Sequence, residues 1–250
     1  MGTKTKIPWC EATWNPVVGC TKISPGCKNC YAETMAKRLK AMGQKKYQDV
    51  VDKDGWTGKI GIGELKCFNE PMRRQKKTLY FVGSMGDLFH KNVPEIYLDH
   101  IFDRTIECTG HIFIILTKRP QRMRDYLESV GNPCKIRDHI WLGVTVESDD
   151  YRERIDDLLS IPAAVHFVSV EPMLGPVDLG DHIESLDWVI IGGESGRKRR
   201  TIDFRHAQDL IDQCRAAGVP VFLKQWDFKD GKGLQKAPFV DRENYMEYPG

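Results

Sequence analysis

Three cysteines fall within eleven residues, Cys20, Cys27 and Cys30 in "GCTKISPGCKNCYAE" (19–33), with six residues and then two between them. Thiolates are ligands for soft metals, and the CxxC pair sets two of them on one turn. A tetrahedral zinc site takes four ligands, so Cys10, Cys67 or a histidine would have to complete it. A 4Fe-4S cluster also normally takes four cysteines, and three leave one iron with an open coordination position. Pro25 and Gly26 permit a tight loop whose backbone N–H groups can meet cluster sulfurs. A third reading is that the thiols are unrelated buried side chains, against which stand the polar, turn-rich residues around them.

The elements that must position this loop follow from periodicity. "CYAETMAKRLKAMG" is rich in helix formers and stops at Gly43, so the cysteines sit in a loop that runs into a helix. From residue 79 onward, short apolar runs recur at 79–83, 111–117, 139–146, 165–170, 187–193 and 219–226. Near-continuous Val, Ile, Phe and Leu suit strands covered on both faces. Between them lie helical stretches at 94–108, 120–130, 149–161 and 203–218, the last closed by Gly218 and Pro220. With a first strand around "ATWNPVVG", six or seven βα units are predicted, as an open doubly wound sheet or a barrel of fewer than eight strands.

Almost every run ends in polar residues: "GSMGD", "TKRP", "TVES", "SVEP", "GGES" and "LKQW". Ligands bind at the carboxyl ends of parallel strands, so Ser84, Asp87, Thr117, Lys118, Thr145, Glu147, Glu171, Glu194 and Lys224 are expected at one mouth. Each of them singly could be a loop residue or a helix cap; six in register argue for a shared site.

Lys+Arg 37 against Asp+Glu 35 leaves +2, which says little about partners. Cations nevertheless cluster at 35–46, 72–77 and 197–200, where solvated faces compete with a binding surface. No leader pattern and no apolar run of about 20 residues is present, so a cytoplasmic chain without membrane contact is expected. In that compartment clustered thiols point to metal rather than disulfide. Cys10, Cys67, Cys108, Cys134 and Cys214 lack ligand spacing and read mostly as small buried hydrophobes. One domain over 1–226, followed by a tail or extension at 227–250, is the expected organisation.

Three clustered cysteines after a first strand, followed by repeated βα units, resemble the radical S-adenosylmethionine (radical SAM) superfamily. The strings "TWNPVVGCTKISPGCKNCYAE", "FVGSMGDLFH", "LTKRP", "WLGVTVE", "FVSVEPMLGPV", "DWVIIGGESG" and "FLKQW" are most similar to an uncharacterised, phage-associated branch of it, over residues 9 to about 226. The commoner spacing in the superfamily is three residues then two, and Asn29 stands where an aromatic usually precedes the third cysteine. The resemblance implies a partial (βα)6-type TIM barrel and a 4Fe-4S cluster on Cys20, Cys27 and Cys30. It also implies reductive cleavage of SAM, with electrons from an external donor such as flavodoxin or ferredoxin.

On the same resemblance Ser84 and Asp87 contact the SAM amino group, Lys118 its carboxylate, and Thr145 and Glu147 the ribose, with Thr117 beside them. The Ser-then-Lys order is loosely similar to that of spore photoproduct lyases. Glu171, Glu194 and Lys224 are left to face the substrate. The cationic clusters with Trp56, Phe89 and Trp226 suggest DNA or RNA, against a peptide or small metabolite. The main alternative is a non-enzymatic zinc-containing nucleic-acid-binding module. A plain methyltransferase lacks its glycine-rich loop after an early strand.

Overall fold

The apolar runs fold as short strands whose two faces are buried differently. In the computed structural model, which describes residues 3–130, 137–195, 198–224, 227–229, 234–236 and 246–250, the strands are β1 (Thr3–Lys4), β2 (Ala12–Trp14), β3 (Val17–Val18), β4 (Gly61–Ile62), β5 (Leu79–Val82), β6 (Ile112–Thr117), β7 (Ile140–Thr145), β8 (Val165–Val170), β9 (Trp188–Ile191) and β10 (Val221–Leu223). One sheet runs β1-β2-β5-β6-β7-β8-β9-β10. β1 is antiparallel to β2, and the remaining seven strands are parallel and curl into a half-barrel with helices around it. β3 and β4 pair separately, beside the mouth.

Helices α1 (Tyr31–Ala41), α2 (Leu65–Phe68), α3 (Glu95–Glu107), α4 (Pro120–Ser129), α5 (Arg154–Leu159) and α6 (Phe204–Ala217) carry the crossovers. The helix expected over 149–161 is broken: a 3-10 turn, Asp149–Tyr151, precedes α5. Between β8 and β9 only a 3-10 turn, Gly180–Ser185, stands where a helix would. α6 starts on Asp203, whose side chain accepts from the Arg205 N–H, and stops at Gly218 in the left-handed region (φ 72°).

Side chains alternate along a strand, which sorts the core into two layers. Phe113, Ile115, Leu142, Val144, Val168, Val170, Val189 and Ile191 face outward onto Leu98, Ile101, Met123, Leu158, Leu210 and Ile211 of the helices. Phe81, Ile114, Trp141, Phe167, Trp188, Ile190 and Phe222 face inward and close the barrel floor with Trp9. Gly143 makes room for this filling, since a Cβ there would meet the Phe167 ring at 2.3 Å. The end of the chain returns to the floor: Trp188 Nε1 donates to the Glu247 carbonyl (2.9 Å), and Tyr248 stacks on Trp188. Residues 227–250 thus include a two-stranded hairpin, Asp227–Lys229 with Leu234–Lys236, and this docking segment.

Candidate active site beneath the cysteine loop

The inward alternation continues past the strand ends. Gly143-Thr145-Glu147, Phe167-Ser169-Glu171, Ile190-Gly192-Glu194, Phe222-Lys224 and Leu116-Lys118 each step from apolar floor to polar rim on the inner side. Over this rim lies the loop with the three cysteines. It turns through a short 3-10 segment, Pro25–Cys27, and hands over to α1 at Cys30.

Side chains from several strand ends fasten the loop. After β6, Arg119 pairs with Asp87 (2.6 Å) and donates to the Thr21 carbonyl and hydroxyl (3.0 Å each), with its other Nη 3.6 Å from Cys20 Sγ. Asp87 is buried and also accepts from the Thr117 hydroxyl (2.7 Å) and from the backbone N–H of Phe89 (3.0 Å). His90, fully buried, reaches Thr21 Oγ1 at 3.0 Å; burial and the Arg119 charge push its pKa down to about 4, so it is neutral at pH 7. After β5, Tyr31 donates from its hydroxyl to the Ser84 carbonyl.

Glu147 is the deepest of these anchors, with no exposed surface. It accepts from the Ser24 hydroxyl, from Lys118 Nζ and from Arg154 Nη1 (2.9 Å). Burial opposes its charge, but Lys118, Ser24 and Arg154 outweigh that and hold the carboxyl below the usual carboxylate range. The loop backbone passes so close that a Cβ on Gly26 would lie 2.4 Å from Glu147 Oε1. On the far side, Glu194 accepts from Asn29 Nδ2 (2.8 Å), from the Arg200 backbone N–H (2.8 Å) and from the Arg200 guanidinium, which in turn donates to the Pro25 carbonyl (2.9 Å).

Beneath the loop is a cavity of about 180 Å³. Cys20, Cys27 and Cys30 line its roof side, Trp9, Phe81 and Leu116 its apolar wall, and Ser84, Lys118, Thr145, Ser169, Glu171 and Lys224 its polar rim. Lys224 and Glu171 form an ion pair of 2.5 Å across that rim. Two polar atoms of lining residues, Ser169 Oγ and Trp9 Nε1, are buried with no hydrogen-bond partner among the described residues. Buried polar groups are normally satisfied, so both suit a polar occupant. Burial pushes the Cys20 thiol up to about 12, and it raises Cys30 as well. Such thiols become thiolates only against added positive charge. The three line one cavity, and among the described residues no group of three His, Cys, Asp or Glu side chains is already placed to hold a metal ion.

Of the residues expected at the mouth, Ser84, Asp87, Thr117, Lys118, Thr145, Glu171, Glu194 and Lys224 all border the cavity. Glu147 lies instead under the cysteine loop, and the carboxylates of Asp87 and Glu194 are occupied in holding it. Phe89 is not a stacking platform: it is fully buried against Phe102 and Tyr126. Trp56 does line the cavity, while Trp226, Cys134 and part of the 197–200 cluster lie outside the described residues. In the 35–46 cluster, Lys40 and Lys46 donate to the carbonyls of Val51 (2.6 Å) and Asn15 (2.8 Å), so part of that charge is spent inside the fold. Sequence reasoning missed Arg119, Arg154, Asn29 and Ser169. Only Ser169 carried a signal, the inward register two residues before Glu171.

The half-barrel resembles that of spore photoproduct lyase complexed with dinucleoside spore photoproduct, at 13% identity and a TM-score of 0.50, over 87% of this chain and 75% of that one. A point variant of the same lyase matches over the same shares at 13% identity and a TM-score of 0.51. The chain belongs to the family described as protein of unknown function DUF5131, which matches residues 4–241. No curated protein matches it. Among the described residues no helix is long and apolar enough to cross a membrane.

Proposed function

We propose that this chain is a radical SAM enzyme acting on nucleic acid. The observation that carries the reading is the set of three thiols, Cys20, Cys27 and Cys30, on one cavity at the carboxyl mouth of a parallel half-barrel, with no fourth cysteine among its described lining. Cys20, Cys27 and Cys30 would hold a 4Fe-4S cluster, which would supply the single electron for reductive cleavage of SAM.

The chain's own residues supply placement, dryness and charge. Arg119, Glu147 and Glu194 pin the cysteine loop through Thr21, Ser24 and Asn29, so the thiols hold position without a substrate. Arg119 beside Cys20 eases the charge of a buried thiolate. Lys118, Ser84 and Thr145 remain at the rim to meet the amino-acid and ribose groups of SAM, with Asp87 and Thr117 fixing that rim from behind. Glu171, Lys224 and Ser169 face the space left for substrate, where the apolar wall of Trp9, Phe81 and Leu116 excludes water from a radical. An external one-electron donor such as flavodoxin or ferredoxin is required. A nucleic-acid substrate is supported by the dinucleoside bound to the structural neighbour.

The test is anaerobic reconstitution with iron and sulfide. The protein is expected to turn brown and, reduced by dithionite, to convert SAM to 5'-deoxyadenosine and methionine. Cys20→Ala, Cys27→Ala and Cys30→Ala should each abolish the colour, while Cys214→Ala, in the α6 core, should keep it. A colourless protein with about one zinc per chain would overturn the reading in favour of a zinc-containing binding module.

A further inference from the structure

A second and larger hollow, of about 810 Å³, opens beside the cavity. Tyr31, Met35 and Leu39, spaced four apart on α1, form one wall; Lys66, Cys67 and Arg73, from α2 and the turn after it, are on the other. Tyr31 and Met35 are 43% and 41% exposed, large side chains that the fold itself leaves uncovered. Lys6, Lys46, Lys66, Arg73 and Lys224 line the hollow, and Glu70 is the one acidic residue among its described lining. Glu64 offsets Lys66 (2.7 Å) and Glu171 offsets Lys224, whereas Lys6 and Arg73 are exposed and in no ion pair among the described residues. Ile7, Tyr31, Ser84, Ser195 and Lys224 border both hollows, so the cleft leads directly to the space beneath the cysteines.

We infer that this cleft binds a single-stranded nucleic-acid segment and delivers one nucleotide past Tyr31 into the cavity. This rests on the reading of the cavity as a site acting on nucleic acid. Cations with a tyrosine and a flexible thioether around one cleft match a strand that repeats an anion and a flat base. An acidic peptide would use the cations and leave Tyr31 and Met35 without a partner.

The test uses the full, reconstituted protein and a fluorescent oligothymidylate of about 12 nucleotides, with anisotropy read across a potassium chloride series. The double variant Lys6→Glu, Arg73→Glu should bind at least about tenfold more weakly and lower the salt slope by about 1.4, as expected for two lost phosphate contacts. Tyr31→Ala should weaken binding about tenfold with the salt slope unchanged, and Tyr31→Phe should restore it. Circular dichroism spectra matching the unaltered protein's show that these variants fold, the two Tyr31 variants melting lower for loss of the hydroxyl's bond to the Ser84 carbonyl. Oligonucleotide binding that ignores all three variants overturns the inference, as does equal binding of a hairpin duplex or of polyglutamate. Failure of the enzyme reading shows elsewhere: the unaltered protein would then cleave no SAM under dithionite, yet still hold the oligonucleotide in the cleft.

Discussion

Glu147→Gln isolates the strongest electrostatic joint between barrel and loop. The carboxylate is fully buried between Lys118, 19% exposed, and Arg154, 8% exposed, and also receives the Ser24 hydroxyl. Glutamine keeps the shape but leaves two largely buried cations without their counter-charge. Removing one partner of a buried ion pair costs about 3–5 kcal/mol, and because Lys118 can turn toward water the lower end, about 3 kcal/mol, applies. For a chain of this length each kcal/mol moves the melting temperature by about 2–4 °C, so a fall of about 6–12 °C at pH 7 is expected.

The pH dependence gives a second, independent readout. Glu147 is held below its ordinary value of 4.5, so its contribution is complete above that pH and is lost as pH falls through the depressed folded value. The gap between the two proteins should therefore close below pH 4.5, by up to about 1.4 kcal/mol per pH unit. Thermal melts by circular dichroism from pH 7 to 3.5 measure both effects. A gap under about 1 °C at pH 7, or one of equal size throughout, would refute the assignment of Glu147 as a charged anchor.

Two further outcomes test the frame around the site. Gly143→Ala drives a methyl group into the Phe167 ring, 2.3 Å from the ideal Cβ position, and should cost about 1–3 kcal/mol, read as a lower urea midpoint with an unchanged m value. Asp203→Ala removes the helix cap of α6 and should cost about 1 kcal/mol at pH 7. Because Arg205 lowers the Asp203 pKa from 3.8 to about 2, the difference should be full above 3.8 and vanish as pH falls toward 2, in chemical denaturation across that range.

Much of the frame is readable in the chain itself. Strands of three to six residues appear where apolar runs stand between helical stretches, because a strand buried on both faces leaves no polar alternation to hide it. The polar strand ends follow from the same logic, and Thr145, Ser169, Glu171 and Lys224 reach the rim through period-two geometry alone. The cysteine spacing declares a ligand set without declaring what closes over it.

What each rim residue touches was decided by the curl of the sheet. Ser24 and Glu147 are 123 positions apart, and Asn29 and Glu194 are 165 apart; only the closure of β7 and β9 toward β5 brings them together. Within the six residues between Cys20 and Cys27, Thr21 meets Arg119 and Ser24 meets Glu147, so the long first gap carries two of the loop's fastenings. Phe89 shows the limit from the other side, since its neighbours Phe102 and Tyr126 arrive on separate helices and turn an aromatic beside a polar motif into core. Sequence alone therefore determines which groups stand at the mouth, through local alternation. Tertiary structure decides which are free and which are anchors, because ion pairing and burial depend on distances that local periodicity does not encode.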